Sequence, residues 1–170
     1  MTSFAPLLDL SEAAAYGPET YYPAFFGFLG VACALIFCNI GAAYGTAKTG
    51  IGLSGMGVMA PSQVMKNIIP VIMSGVIGIY GLIVAVILLN GIKTPKEGYT
   101  AKDGFKHLAA GLSSGLSGLG SGIAIGITGD IGVRSSGRQE KLYVGLILIM
   151  IFSEAIALYG LIIALVMSTA

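Results

Sequence analysis

The sequence predicts an all-α membrane protein: four transmembrane helices laid out as a duplicated helical hairpin, assembling into a ring. Composition is the first reason. The 170 residues are 55% hydrophobic and only 10% charged, and the mean hydropathy is +0.89, values of the membrane class rather than of a soluble domain. Charge distribution is the second. Of the seventeen charged residues, sixteen lie outside four long apolar stretches, and one, Glu154, sits inside the last. The third is that the second half of the chain repeats the first.

Residues 1–21 carry Asp9, Glu12 and Glu19 but no Lys or Arg, so they read as an acidic tail without the basic n-region of a signal peptide. The first hairpin takes residues 22–92, with one span between Glu19 and Lys48 and the next between Lys66 and Lys93. Residues 93–106 connect the halves. The second hairpin takes residues 107–170, its first span ending at Asp130 and its second running from Leu142 to the end. Each stretch is long enough to cross a bilayer as a helix, which satisfies its backbone polar groups internally. The loops near 48–66, 93–106 and 130–141 are too short for another domain, and four crossings put both termini on one side. Loops one and three carry five basic residues and the middle loop four, so charge bias does not set the orientation. Pro70 removes a backbone donor and is expected to kink the second span.

The repeat is visible letter by letter. Ser74-Gly75 followed by Ile79-Tyr80-Gly81-Leu82-Ile83 returns as Ser153-Glu154 followed by Leu158-Tyr159-Gly160-Leu161-Ile162, 79 positions on. In the odd spans Gly41 and Gly45 match Gly122 and Gly126 at an offset of 81, a difference assigned to loop length. An even number of spans separates the copies, so the hairpins run parallel. Glu154 falls opposite Gly75, which leaves one ionisable site per two hairpins.

Small residues recur at Gly27, Gly30, Ala34, Cys38, Gly41 and Gly45 in the first span, and at Gly111, Gly115, Gly118, Gly122, Gly126 and Gly129 in the third. Steps of three and four hold each set on one helix face. Such faces let backbones approach closely where lipid offers no hydrophobic drive. The even spans are richer in Ile, Leu, Val and Met. Odd spans on an inner radius with even spans outside would form a ring; a compact four-helix bundle is the plainer arrangement.

Glu154 is the candidate functional residue. It lies roughly 20 Å along the helix from Lys141, where an ionised carboxylate costs several kcal/mol. No Lys or Arg inside a span is available to pair with it. The plainer reading is a structural carboxyl hydrogen-bonded within a bundle. Ser74, Tyr80, Ser153 and Tyr159 are possible donors; Ser153 points away as a sequence neighbour, which favours Ser74 and Tyr80 from the second span.

Other signals fail their context. Gly50-Ile-Gly52-Leu-Ser-Gly55 spells GxGxxG, but no strand precedes it and no acidic residue follows at the required distance, so it reads as a helix end and loop. No P-loop occurs, so nucleotide is not a ligand, and no basic cluster suggests nucleic acid. His107, the only histidine, has no companion at metal-ligand spacing and reads as interfacial. Neither a metal nor a cofactor is expected. Cys33 and Cys38 diverge on a helix, which argues against a disulfide. Asn39 reads as helix–helix glue, and Asp130 with Arg134 as a solvated ion pair.

The stretches GAAYGTAKTGIG (41–52), PVIMSG (70–75) with IYGLIVAV, AIGITGDIGVR (124–134) and VGLILIMIFSEAIALYGLIIAL (144–165) together resemble the c-type proteolipids of the V-type ATPase, over about residues 22 to 168. The resemblance implies a rotor ring built from copies of the chain and related proteolipids in membrane lipid, with a stator a subunit and central-stalk subunits such as d as partners. It implies that Glu154 takes and releases a proton as the ring turns, in an endomembrane such as that of the vacuole, with luminal termini. The chain would then be a non-catalytic subunit, with ATP hydrolysed elsewhere. The c-prime isoform shares nearly every motif, and Met73-Ser74-Gly75 and Phe152-Ser153-Glu154 lean that way. Outside that reading stand a sodium-translocating rotor, disfavoured by the absence of Gln or Thr near Glu154, and a four-helix scaffold or pore-former.

Overall fold

The computed structural model describes residues 22–93 and 98–169; the expected acidic tail lies outside them. Four helices follow in order: α1 Tyr22–Met59, α2 Ile69–Gly91, α3 Ala101–Arg138 and α4 Leu142–Thr169. All four are long and apolar enough to cross a membrane. α1 and α3 have 38 residues each, or about 57 Å of helix against about 30 Å of hydrocarbon. They therefore run on past the bilayer. The expected loops at 48–66 and 130–141 shrink to residues 60–68, with two short 3₁₀ turns, and to residues 139–141. The charges mark where hydrocarbon stops, and a helix can continue into water beyond that point. The GxGxxG segment, expected as a helix end and loop, lies wholly within α1.

Pro70 sits in the first turn of α2, where the missing donor has no intrahelical partner to lose. The expected kink within the span is therefore not required. α3 begins in a capping box: Thr100 Oγ1 and its backbone N–H donate to Asp103 Oδ2 at 2.7 and 3.0 Å.

α1 and α3 pack backbone on backbone. A Cβ added at Gly41 would lie 2.6 Å from Gly118 O, and one at Gly115 would lie 2.6 Å from Cys33 O. One at Gly122 would run into the Gly41 backbone, and one at Gly126 would come within 3.1 Å of Gly45 Cα. Apart from Gly27, which faces Tyr99 and Ile92, the glycine stripes of both odd helices are thus consumed inside the chain, along this seam. α2 and α4 lie side by side against it and expose Ile72, Leu82, Phe152 and Val166.

The packing also corrects the repeat. A Cβ at Gly81 would sit 2.5 Å from Cys38 Cβ and 2.7 Å from Ala34 O; one at Gly160 would sit 2.6 Å from Ser117 Cβ and 2.7 Å from Ser113 O. Ala42 pairs with Ser74 as Ser121 pairs with Ser153. Every one of these correspondences is 79 positions, in the odd helices as in the even. The offset of 81 is replaced, and no loop-length difference is needed. Gly41 and Gly122 match in letter because they touch each other across the seam.

A polar latch closes the end where the hairpins turn. Ser136 Oγ donates to Asn67 Oδ1 at 2.6 Å, Tyr143 OH donates to Lys66 O at 3.1 Å, and Lys66 Nζ meets Glu140 Oε1 at 2.7 Å. The hydrogen bond and charge of Lys66 hold the Glu140 carboxyl below the usual range. Asp130 and Arg134 form the expected i,i+4 pair at 2.7 Å. Cys33 and Cys38 are both free thiols.

Candidate functional site

Glu154 lies on α4 where that helix meets α2, half-buried, with Ile151, Phe152 and Leu158 exposed around it. The Tyr80 hydroxyl, from α2, donates to Glu154 Oε1 at 2.8 Å. Tyr80 sits five residues further along its helix than Gly75, the repeat equivalent of Glu154, and side chains lean toward the helix N-terminus, so a long phenol covers that rise.

The backbone beneath the carboxyl is fixed. Ser121 Oγ of α3 donates to Ser153 O at 2.7 Å. Gly160 removes the side chain that would strike α3, and Ala157 is 2% exposed. The carboxyl therefore projects from a helix packed closely on α3, with its apolar neighbours exposed.

Ser74, expected beside Tyr80 as a donor to Glu154, does not reach it. It is fully buried and donates to Ala42 O of α1 at 3.3 Å. The correction follows from the face: Ser74 shares the stripe of α2 that turns onto α1, as Gly81 does. Ser153 points away as expected and donates to Ile149 O at 3.0 Å. Tyr159 is 65% exposed. The expected packing glycines Gly41, Gly45, Gly115, Gly118, Gly122 and Gly126 all lie on the α1–α3 seam.

Ser121 is the supporting residue that sequence reasoning misses. Its signal is present: Ser113, Ser117 and Ser121 recur every fourth residue on the face of α3 that meets α4. His107 is buried near the start of α3, with Nδ1 2.7 Å from Tyr99 OH. Burial and the charge of Asp103 push the Tyr99 hydroxyl up to about 12. The phenol therefore keeps its proton, and the direction of its hydrogen bond with Nδ1 follows the tautomer of the imidazole.

Among the described residues the ion pairs are Lys66–Glu140, Lys106–Asp103 and Arg134–Asp130, and Glu154 takes part in none. No cluster of three or more His, Cys, Asp or Glu gathers among the described residues. The donor set at Glu154 is one carboxyl and one phenol, which suits a proton better than a hard cation that needs several oxygen ligands. A lone carboxyl of this kind can be neutral against lipid and ionised where water or a cation is supplied.

The model of the ATP synthase C-subunit family matches the chain twice, at residues 29–88 and 108–167. Both bounds differ by 79 positions, as the packing requires. The 16 kDa proteolipid, type c, of the V-type proton ATPase of Ascaris suum is 56% identical over 162 residues, 95% of this chain and 97% of its own length. The V-type proton ATPase 16 kDa proteolipid of Chrysotila carterae is 64% identical over 148 residues, covering 85% and 90% of the two chains. The c-prime proteolipid of the V-type proton ATPase of Eremothecium gossypii is 54% identical over 152 residues, covering 88% and 92%.

Proposed function

The chain belongs to the ATP synthase C-subunit family, among the V-type proton ATPase proteolipids, and from that premise we propose that it is the proton-carrying member of a rotor ring, with Glu154 as the carrier. It is an integral membrane protein that works as part of a larger assembly. ATP is hydrolysed on other subunits.

One observation carries the reading: a single mid-span carboxyl, on the seam between α2 and α4, without a cationic partner among the described residues and with one phenol donating to it. Facing lipid, the ionised form is too costly and Glu154 holds its proton. Beside a stator a subunit that supplies water and a basic group, the charged form becomes favourable and the proton leaves. Rotation carries the group between the two environments. Tyr80 can donate to Oε1 in either state, because a neutral carboxyl with its proton on Oε2 still presents Oε1 as an acceptor. Tyr80 thus fixes the side chain without deciding its charge. Central-stalk subunits such as d would grip the ring, the termini would face the lumen, and the membrane would be that of an acidic organelle such as the vacuole. The c-prime name among the relatives keeps that isoform as the second reading.

The test is acidification of vesicles by the reconstituted complex in sodium-free buffer. Glu154→Gln is expected to assemble and to abolish transport. Normal pumping by that variant would return the carboxyl to a structural role, and a strict sodium requirement would move the assignment to a sodium rotor. A carbodiimide, which attacks protonated carboxyls in apolar surroundings, is expected to label Glu154 ahead of the other acidic residues.

A further inference from the structure

The seam between α1 and α3 is head-to-tail, and each of its two faces is left open on the far side of the chain. α1 contributes Gly30, Cys38, Gly41, Gly45 and Gly52 to the seam, and α3 contributes Gly111, Gly115, Gly118, Gly122 and Gly126. The counterparts of the α3 set, 79 positions earlier, are Ala32, Ile36, Asn39, Ala43 and Ala47 of α1; all but the half-buried Ala32 are exposed. The counterparts of the α1 set are Ala109, Ser117, Gly120, Ala124 and Ile131 of α3, and these are exposed or half-buried. Two unlike faces that fit one another, free at opposite edges, make a heterologous contact that a second copy of the chain completes. The occupant is therefore another copy, and its seat continues the interface already formed within the chain.

Carrying the internal contacts forward by 79 positions fixes what meets what. At the centre of the internal seam, a Cβ at Gly118 would lie 2.5 Å from Cys38 Sγ and 3.3 Å from Ile77 Cγ2. The corresponding three residues at the junction between copies are Asn39 from one copy, with Ser117 and Ile156 from the other. We propose that Asn39 of each copy docks its side-chain amide on Ser117 of the adjoining copy and so forms the polar clasp of the junction. The assignment rests on the ring reading given above.

The chemistry fits on both sides. Asn39 is exposed within an apolar span, its Oδ1 lying against Gly78 of α2, and an amide N–H left without a partner in hydrocarbon is costly. Ser117 Oγ donates to Ser114 O at 3.0 Å, so its lone pairs are free to accept an N–H from the amide. The clasp also sets the spacing. Ala32, Ile36, Asn39, Ala43 and Ala47 stand where the internal seam has five glycines, so the junction between copies is wider than the junction within one. The wider seam loses backbone contact, and a hydrogen bond is the means of holding it.

Within a single chain the two side chains turn onto different helices, Asn39 Oδ1 toward Gly78 of α2 and Ser117 Oγ toward Gly160 of α4. A disulfide between these positions must therefore join two chains. In the assembled complex carrying Cys33→Ala and Cys38→Ser, oxidation of the Asn39→Cys, Ser117→Cys double variant is expected to give a ladder of covalent dimers, trimers and higher species on a denaturing gel. An intact oligomer by native mass that yields no ladder overturns the clasp and leaves the ring standing. A monomeric native mass for the unmodified chain overturns both. Asn39→Val and Ser117→Ala supply a measurement free of cysteines: each is expected to speed ring dissociation by about 3- to 10-fold, and the double variant no more than either alone. Independent, additive effects would overturn the pairing.

Discussion

With Glu154 as the proposed carrier, substitutions there separate shape from charge. Gln keeps the shape and the acceptor for Tyr80 but cannot ionise, so the ring should assemble while proton transport stops and coupled ATP hydrolysis falls with it. Asp keeps the acid and withdraws it by one methylene, away from the phenol at 2.8 Å, so partial transport is expected. Tyr80→Phe removes one hydrogen bond and leaves the carboxyl free to turn. A single such bond is worth about 0.5–1.5 kcal/mol, so the initial acidification rate should fall by about 2- to 10-fold with assembly intact. An unchanged rate would show that the phenol does not position the carboxyl. Glu154 was legible in the sequence as a candidate, since one acid among the last twenty-nine residues needs no fold to be noticed. Ser74 was not. Its distance from Gly75 is one residue, but one residue turns a side chain by about 100°, and that rotation places it on α1 instead of beside Glu154.

Helices were legible as spans but not as lengths. Charges at Lys48 and Asp130 mark the border of the hydrocarbon, whereas α1 and α3 end only at Met59 and Arg138. The glycine stripes were legible as packing faces, yet the copies they join were not. Matching Gly41 with Gly122 by letter paired two residues that touch, and contact partners need not be equivalents. The structure makes the consequence sharp: Gly118→Leu and Gly122→Leu act inside the chain, on the docking of one hairpin against the other. At Gly122 the new side chain meets the Gly41 backbone, which cannot swing aside. The expected outcome is loss of stable chain and hence of ring, read as absence of proteolipid from the purified complex; a ring of normal size carrying both changes would contradict it. The latch at the turn end is a weaker device. The folded state depresses Glu140 through Lys66, so its contribution is present at neutral pH and is lost as pH falls through the depressed folded value. Both partners are exposed, so the effect should be small and screened by salt. Thermal midpoints measured against pH should decline slightly more steeply at acid pH in the natural chain than in Lys66→Met, and the difference should vanish at high salt.

On the reading proposed above, one carboxyl per two hairpins is a statement about the whole ring, because it sets how many protons a full turn carries. The internal junction brings Tyr80 to Glu154; the same junction between copies would bring Tyr159 to Gly75. Tyr159 is 65% exposed in the single chain, and Gly75 has no atom closer than 4.0 Å to the Cβ it lacks. Space for a side chain and a phenol to receive it are therefore both present at the vacant position. Gly75→Glu should fold and assemble, since nothing stands in its way, and should place a second carboxyl at the depth of the first. Two acids per chain double the ionisations each turn must complete, while the work available from each ATP is unchanged, so the steepest gradient the pump can sustain should fall. Neighbouring carboxyls would also titrate as a coupled set, which slows release at the stator. The expected result is an assembled complex with slower acidification and a shallower final pH difference in sealed vesicles. The Gly75→Glu, Glu154→Gln double variant then asks whether the second position can carry protons at all. Transport restored in that double variant would show that the Tyr159 junction is an equivalent site, with only its acid missing. An unaltered rate and final gradient in Gly75→Glu alone would mean that the added acid never ionises as the ring turns.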